Sequence, residues 1–217
     1  LLGCKHQPGN REEYQTTGTS LEQWHALPSP SAEPVTQTSI ACDGSDMVIF
    51  YREPAPSLNI EMGPIKKWQG SYWSDFAGAT NQCHSPDVDI EGSVVVATWY
   101  TDAYDYGYGS NINGPWVSFT GTMLQHQYYP RAAMAMGFPY MSFTCKYSDG
   151  MPSMYDMLHI RSIIGVGDKI ELRGGWRVPY LSVGMKTDIT GDEHAWYCVY
   201  IQQEFLYVDK GAVVDGS

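Results

Sequence analysis

The sequence predicts an all-β domain, a two-sheet sandwich or barrel of roughly eight antiparallel strands behind an extended N-terminal arm. Short apolar runs rich in β-branched and aromatic residues recur from residue 46 onward, separated by clusters of Gly, Pro, Asn and Asp. These runs do not alternate with helical patterns, which argues against a parallel α/β sheet. Residues 1–45 are polar and punctuated by Pro8, Gly9, Pro28, Pro30 and Pro34, which reads as an arm with polyproline character. With Leu21, Trp24 and Leu27 as anchors, such an arm is expected to lie along a partner.

The domain proper is expected over 46–217. Asp46–Arg52 is strand-like and closes at Pro54 and Pro56. Ile65–Ala77 carries Trp68, Tyr72, Trp73 and Phe76 around Gly70. Glu91–Asp102 is the strongest strand in the chain, because its Val, Thr, Trp and Tyr suit a pleated surface. Further strands are expected in Pro115–Gln127, Arg131–Phe143, Asp168–Gly174, Arg177–Val183 and Ala195–Val208. Ser153–Ile164 has Met154, Leu158 and Ile163 near helical spacing and predicts one short helix. Phe138–Ser142 resembles Val178–Ser182, but five residues are too few to establish an internal repeat.

With 217 residues the chain can bury roughly 70% of its unfolded surface and needs no disulfide or metal to fold. The longest apolar runs are about five residues, against about 20 for a membrane-spanning helix. The opening residues lack a signal-peptide pattern and an initiator Met, as expected of a processed piece of a longer chain. There are 13 Lys+Arg against 24 Asp+Glu and no basic stripe, so strong direct nucleic-acid binding is not expected. Cys4, Cys42, Cys83, Cys145 and Cys198 are odd in number and widely spaced, with no Cys-x-x-Cys. They read as free, buried thiols, which favours a reducing compartment.

Candidate chemistry is sparse. On a strand, Asp87, Asp89 and Glu91 share one face while Val88 and Ile90 share the other. Three carboxylates on one face suit Ca²⁺ or a glycosidase pair, and equally a solvated face opposite a core. Asp102–Asn111, rich in tyrosine (Tyr104, Tyr106 and Tyr108) and broken by Gly107 and Gly109, reads as an adaptable binding loop, with Asp102 and Asp105 as its Ca²⁺ candidates. Cys83 and His84 are adjacent and so face opposite sides of a strand. The histidines lack His-x-x-x-His spacing, and neither a Gly-x-Ser-x-Gly elbow nor a P-loop is present. The reading is of a chain without catalytic, cofactor or metal residues, and not of an enzyme.

Two ordered phrases carry a resemblance. Trp68-Gln69-Gly70-Ser71 is followed by Arg131, then by Pro139-Tyr140-Met141-Ser142 and Tyr147-Ser148-Asp149-Gly150. In that order they resemble the capsid proteins of picorna-like, positive-strand RNA viruses. The resemblance implies an eight-stranded antiparallel jelly roll, found in virions and in the host cytoplasm during assembly. Its partners would be sister capsid subunits and a host-cell receptor met through surface loops. Low Lys and abundant Tyr, Trp and Met fit a surface given to neighbours. The alternative is a carbohydrate- or protein-binding β-sandwich module, with Trp68, Trp73, Tyr104, Tyr106 and Tyr108 as its stacking platform.

Overall fold

A computed structural model describes residues 26–55, 60–79, 82–101, 105–121, 127–146, 155–166, 168–182, 187–202 and 205–211. They form fifteen antiparallel strands in four sheets. Sheet 1 contains β1 (Gln37–Asp43), β2 (Asp46–Ala55), β3 (Ile60–Trp68) and β4 (Trp73–Ala79). Sheet 2 contains β5 (His84–Glu91), β6 (Val94–Tyr100), β7 (Tyr106–Ser110) and β8 (Val117–Gly121). Sheet 3 contains β9 (Gln127–Ala135), β10 (Phe138–Lys146), β11 (Tyr155–Val166) and β12 (Lys169–Ser182). Sheet 4 contains β13 (Asp188–Gly191), β14 (Trp196–Gln202) and β15 (Phe205–Gly211).

Within every sheet, hydrogen-bonded neighbours are consecutive in sequence. The all-β, antiparallel expectation therefore holds, but the strand order is not that of an eight-stranded jelly roll. A jelly roll is two Greek keys, which return a strand beside one laid down several strands earlier. Here each strand pairs with the next in sequence, so each sheet is a simple meander.

The sheets stack in chain order with an apolar layer between each pair. Val48, Phe50 and Ile65 of sheet 1 meet Val88, Ile90, Val95, Ala97 and Trp99 of sheet 2. Val96, Tyr106 and Tyr108 of sheet 2 meet Ala132, Met134, Met141, Phe143 and Ile163 of sheet 3. Ala133, Ala135, Tyr140, Leu158 and Ile160 of sheet 3 meet Ile189, Trp196, Cys198 and Tyr200 of sheet 4. Strand β6 shows why its sequence lacks polar alternation. Val95, Ala97 and Trp99 face one layer and Val96 the next, so both of its faces are buried. Cys83 and Cys198 are free, buried thiols, and burial pushes the Cys198 thiol up to about 12.

Three sequence expectations change. Ser153–Ile164 is not a helix: from Tyr155 it belongs to β11, paired to β10 and β12. Ile160 and Ile163 point to opposite layers there, and β-branched residues fit a pleat better than a helix turn. The boundary at 45 falls inside the β1–β2 hairpin, because residues 37–43 already form β1. Residues 26–36 lie on sheet 1 of the same chain, while Leu21 and Trp24 lie outside the described residues.

The third change is the tyrosine-rich loop, whose second half is the fully buried strand β7. Alternation sends Tyr106 and Tyr108 toward sheet 3, with Tyr106 stacked on Phe143 at 5.7 Å and 2°. Gly107 and Gly109 point the other way and leave room for the indoles of Trp99 and Trp116. A Cβ on Gly107 would fall inside the Trp99 ring. Gly107→Ala is expected to cost about 2–4 kcal/mol. Gly78→Ala on β4, where a new methyl meets nothing, is expected to stay within about 0.5 kcal/mol. Urea melts of the two variants check both values.

The aromatic row continues from Phe143 to His159, stacked at 5.1 Å and 3°. Burial, then the charges of Arg161 and Arg177, lowers the His159 pKa from 6.5 to about 4, so the ring is neutral in the fold. The unfolded chain takes up this proton near pH 6.5 and the folded chain only near 4. His159 therefore adds stability that is complete above pH 6.5 and is lost as pH falls toward 4. The loss is on the order of 2–3 kcal/mol. Measuring unfolding free energy from pH 7 to 4 should show this slope, flattened in His159→Phe.

Candidate functional site

The first strands β1, β5, β9 and β13 pack side by side, and one cavity of about 410 Å³ opens among them. Gln37, Thr38 and Ser39 line it from β1, Ser85, Pro86 and Asp87 from β5, Arg131 from β9 and Asp188 from β13. Register explains the convergence. Each first strand ends in a hairpin-closing pair: Asp43 with Asp46, Glu91 with Val94, Ala135 with Phe138 and Gly191 with Trp196. Ser39, Asp87 and Arg131 stand at the same distance before those closures.

The acidic face of β5 builds the wall beside this cavity. Asp87 accepts from the Ser39 hydroxyl at 2.7 Å and from the Ala132 amide at 2.8 Å. Asp89 accepts from the Met134 amide at 2.9 Å and from the Ile90 amide at 3.0 Å. Glu91 accepts from the Gly137 amide at 3.3 Å. Ala132 and Met134 pair with β10 along one edge of β9, and these carboxylates take the other edge.

The same device joins sheets 1 and 2. The Ser85 amide donates to the Gln37 side chain at 2.8 Å, Val88 to Ser39 at 3.2 Å and Gly92 to Asp43 at 2.5 Å. Between sheets 3 and 4 the backbone takes over: the Met136 amide donates to the Asp192 carbonyl at 2.7 Å. The Asp192 carboxyl lies below the usual range, chiefly because it accepts from the His194 amide.

The face expected to carry Asp87, Asp89 and Glu91 is thus real, but it is not a solvated face. Asp89 is only 8% exposed, and of the three only Asp87 reaches the cavity. Among the described residues no cluster of three His, Cys, Asp or Glu could hold a metal. Asp102 and Tyr104 lie outside the described residues.

The expected aromatic platform does not assemble from its described members. Trp68 and Trp73 meet at 5.1 Å with their rings tilted at 60°, beside the β3–β4 turn, whereas Tyr106 and Tyr108 are buried against sheet 3. His84 stacks on Tyr100, while Cys83 is buried in the first apolar layer. Gln37 and Ser85 had no local motif to mark them, and Arg131 was marked only as part of the second sequence phrase. The available signal was their spacing from the hairpins.

No known protein family matches the chain, and no curated protein matches it in sequence. Solved structures with some likeness include the Aleuria aurantia lectin N224Q mutant in complex with alpha-methyl-L-fucoside. It is 9% identical, with a TM-score of 0.44 over 82% of this chain and 62% of that one. Trypanosoma rangeli sialidase in complex with the inhibitor DANA is 14% identical, with a TM-score of 0.45 over 78% of this chain and 30% of that one. The GH43_1 enzyme from Xanthomonas citri complexed with xylose is 9% identical, with a TM-score of 0.36 over 86% and 90%. The chain thus spans less than two thirds of the first two. Likeness of this size leaves the argument to the chain's own geometry.

The Asp89 carboxylate is the test of the wall. Asp89→Ala would leave the buried Met134 amide without its acceptor and is expected to cost about 2–3 kcal/mol. Glu91→Ala, whose Gly137 partner is exposed, is expected to cost under about 1 kcal/mol. Chemical denaturation of both variants should reproduce this order.

Proposed function

We propose that the four meanders are blades of a β-propeller-like domain that binds a hydroxyl-rich ligand, carbohydrate foremost, in the cavity among their first strands. The observation that carries this reading is the convergence of Gln37, Ser39, Ser85, Asp87, Arg131 and Asp188 on one open cavity. Its volume lies in the range of small-molecule sites, and several sheets contribute a polar group each. Carboxylates accept from sugar hydroxyls, the guanidinium donates to them, and the amide and hydroxyl side chains do either. Pro86 supplies the apolar wall.

Asp87 is already held in place by Ser39 and Ala132, so its carboxylate is positioned before any ligand arrives. Among the described residues Arg131 donates to the Pro130 carbonyl at 3.2 Å and forms no ion pair. Its remaining N–H groups suit an incoming oxygen. This is the carbohydrate-binding alternative of the sequence reading, moved from an aromatic platform to a polar cavity. The capsid reading rests on its two sequence phrases, of which Trp68–Ser71 spans the β3–β4 turn and Pro139–Ser142 lies in β10.

Screening the chain against a glycan panel, followed by calorimetry, tests the proposal. Arg131→Ala is expected to weaken the selected glycan at least about tenfold while leaving the urea midpoint within error. Absence of any glycan ligand, or unchanged affinity in Arg131→Ala, would sink it.

A further inference from the structure

Two of the first strands depart from the regular ladder in the same way, at the cavity. In β5, Ser85 and Pro86 together stand against Trp99 of β6, because His84 pairs with Tyr100 and Asp87 with Thr98. In β9, Tyr129 and Pro130 together stand against Phe143 of β10, because Tyr128 pairs with Thr144 and Arg131 with Ser142. Each is a β-bulge of one extra residue. The residue before each proline is left-handed, with a φ of 49° at Ser85 and 51° at Tyr129. Neither is a glycine, and backbone strain of this kind clusters at functional sites. The residue after each proline is a charged residue of the cavity, Asp87 in one sheet and Arg131 in the next.

The prolines stand where the bridged inner edge would otherwise continue. The Val88 amide of β5 donates to Ser39, and the Ala132 amide of β9 donates to Asp87. Two residues upstream of these amides are Pro86 and Pro130, which have no N–H to leave unpaired. The side-chain bridges stop there and the cavity begins, with Ser85 and Pro86 on its wall. The bulges also hold cavity groups in place. The Pro130 carbonyl accepts from the Arg131 guanidinium at 3.2 Å, and the Ser85 amide donates to the Gln37 side chain at 2.8 Å.

On the reading that this cavity binds carbohydrate, we propose that Ser85-Pro86 and Tyr129-Pro130 are its positioning residues. The matched bulges end the bridged edge and aim two groups of opposite charge, Asp87 and Arg131, at one ligand. A bulge bends its strand and re-aims the side chain beside it. Proline fixes one dihedral of that bend, so Arg131 is set before the ligand arrives and less freedom is lost on binding.

The test is a double-mutant cycle on the full chain, read by calorimetry with the glycan that the panel selects. Pro130→Ala is expected to weaken that glycan about fivefold. In the Arg131→Ala background the same change is expected to shift affinity by less than about twofold. Equal weakening in both backgrounds is a merely structural effect and overturns the proposal, as does unchanged affinity in Pro130→Ala. If no glycan binds, the carbohydrate reading fails, and the bulge is judged by the NMR order parameter of the Arg131 Nε–H group. That value is expected to fall in Pro130→Ala, and an unchanged value overturns the proposal. Should Pro130→Ala not fold, Tyr129→Val and Tyr129→Asn replace it under the same readouts. Both lose the ring, but only Asn readily adopts positive φ. Binding about fivefold weaker, or a lower order parameter, in Tyr129→Val than in Tyr129→Asn supports the proposal, and equal values overturn it.

Discussion

The inner edge of each first strand is the constraint on which this architecture depends. A meander uses one edge of its first strand for its own second strand and leaves the other edge's amides facing the middle of the molecule. Buried N–H groups without acceptors cost on the order of 1–3 kcal/mol each. Here side chains from the preceding sheet take them: Gln37, Ser39 and Asp43 for β5, and Asp87, Asp89 and Glu91 for β9. The period-2 geometry of a strand makes this economical, since every second residue faces the neighbour's edge while the residues between fill the preceding core. Val88 and Ile90 do this as Asp87, Asp89 and Glu91 face the other way. The same side chains that satisfy the amides also fix the spacing between sheets, and so the dimensions of the cavity above them.

The last junction departs from that rule in a way that follows from side-chain size. At the positions equivalent to Asp89 and Glu91, β9 carries Ala133 and Ala135. With no carboxylate to hold the sheets apart, β13 comes close enough that a Cβ on Gly191 would overlap Ala135 and the Met134 carbonyl. Close approach allows the backbone bond from Met136 to Asp192 to replace the side-chain bridge. Arg131 in the Asp87 position is then free of the bridging role and available to the cavity.

Much of the secondary structure was legible, and the failures have physical causes. Strand β6 was plain because Val, Thr, Trp and Tyr suit a pleat whatever they pack against. The acidic alternation of β5 was read with the right period and the wrong environment, because alternation reports faces and not what covers them. The Tyr-Gly-Tyr-Gly run looked like a loop by composition. Only tertiary structure reveals that its glycines make way for the indoles of Trp99 and Trp116. The repeat was illegible for a related reason. The hairpin glycines Gly44, Gly92 and Gly137 share positive φ and recur about 45–50 residues apart. The strands around them, however, solve the amide problem with carboxylates, amides, a hydroxyl or backbone, so no common phrase survives. The cavity inherits this illegibility, since its residues are united by register and not by motif.

A stack of sheets that covers each inner face with its neighbour leaves two outer faces. Sheet 1 covers its own with Pro28–Glu33, a segment that supplies carbonyls to Trp73 and Tyr51 and so satisfies two buried or half-buried donors while shielding their rings. Sheet 4 has no comparable cover among the described residues. Val199 lies opposite Val208 and Ile201 opposite Leu206, and Leu206 and Val208 are 68% and 63% exposed. The difference between the two ends is one of polarity. The sheet 1 face presents aromatic N–H and O–H donors to the carbonyls of Pro28 and Pro30, whereas sheet 4 sets aliphatic Val199, Leu206 and Val208 beside Tyr197, with the Lys210 ammonium over its ring at 5.3 Å. Both the cavity among the first strands and the sheet 1 groove under Pro28–Glu33 present donors fixed by the surrounding strands: the Arg131 guanidinium in one, and the Trp73 and Tyr51 N–H and O–H groups in the other.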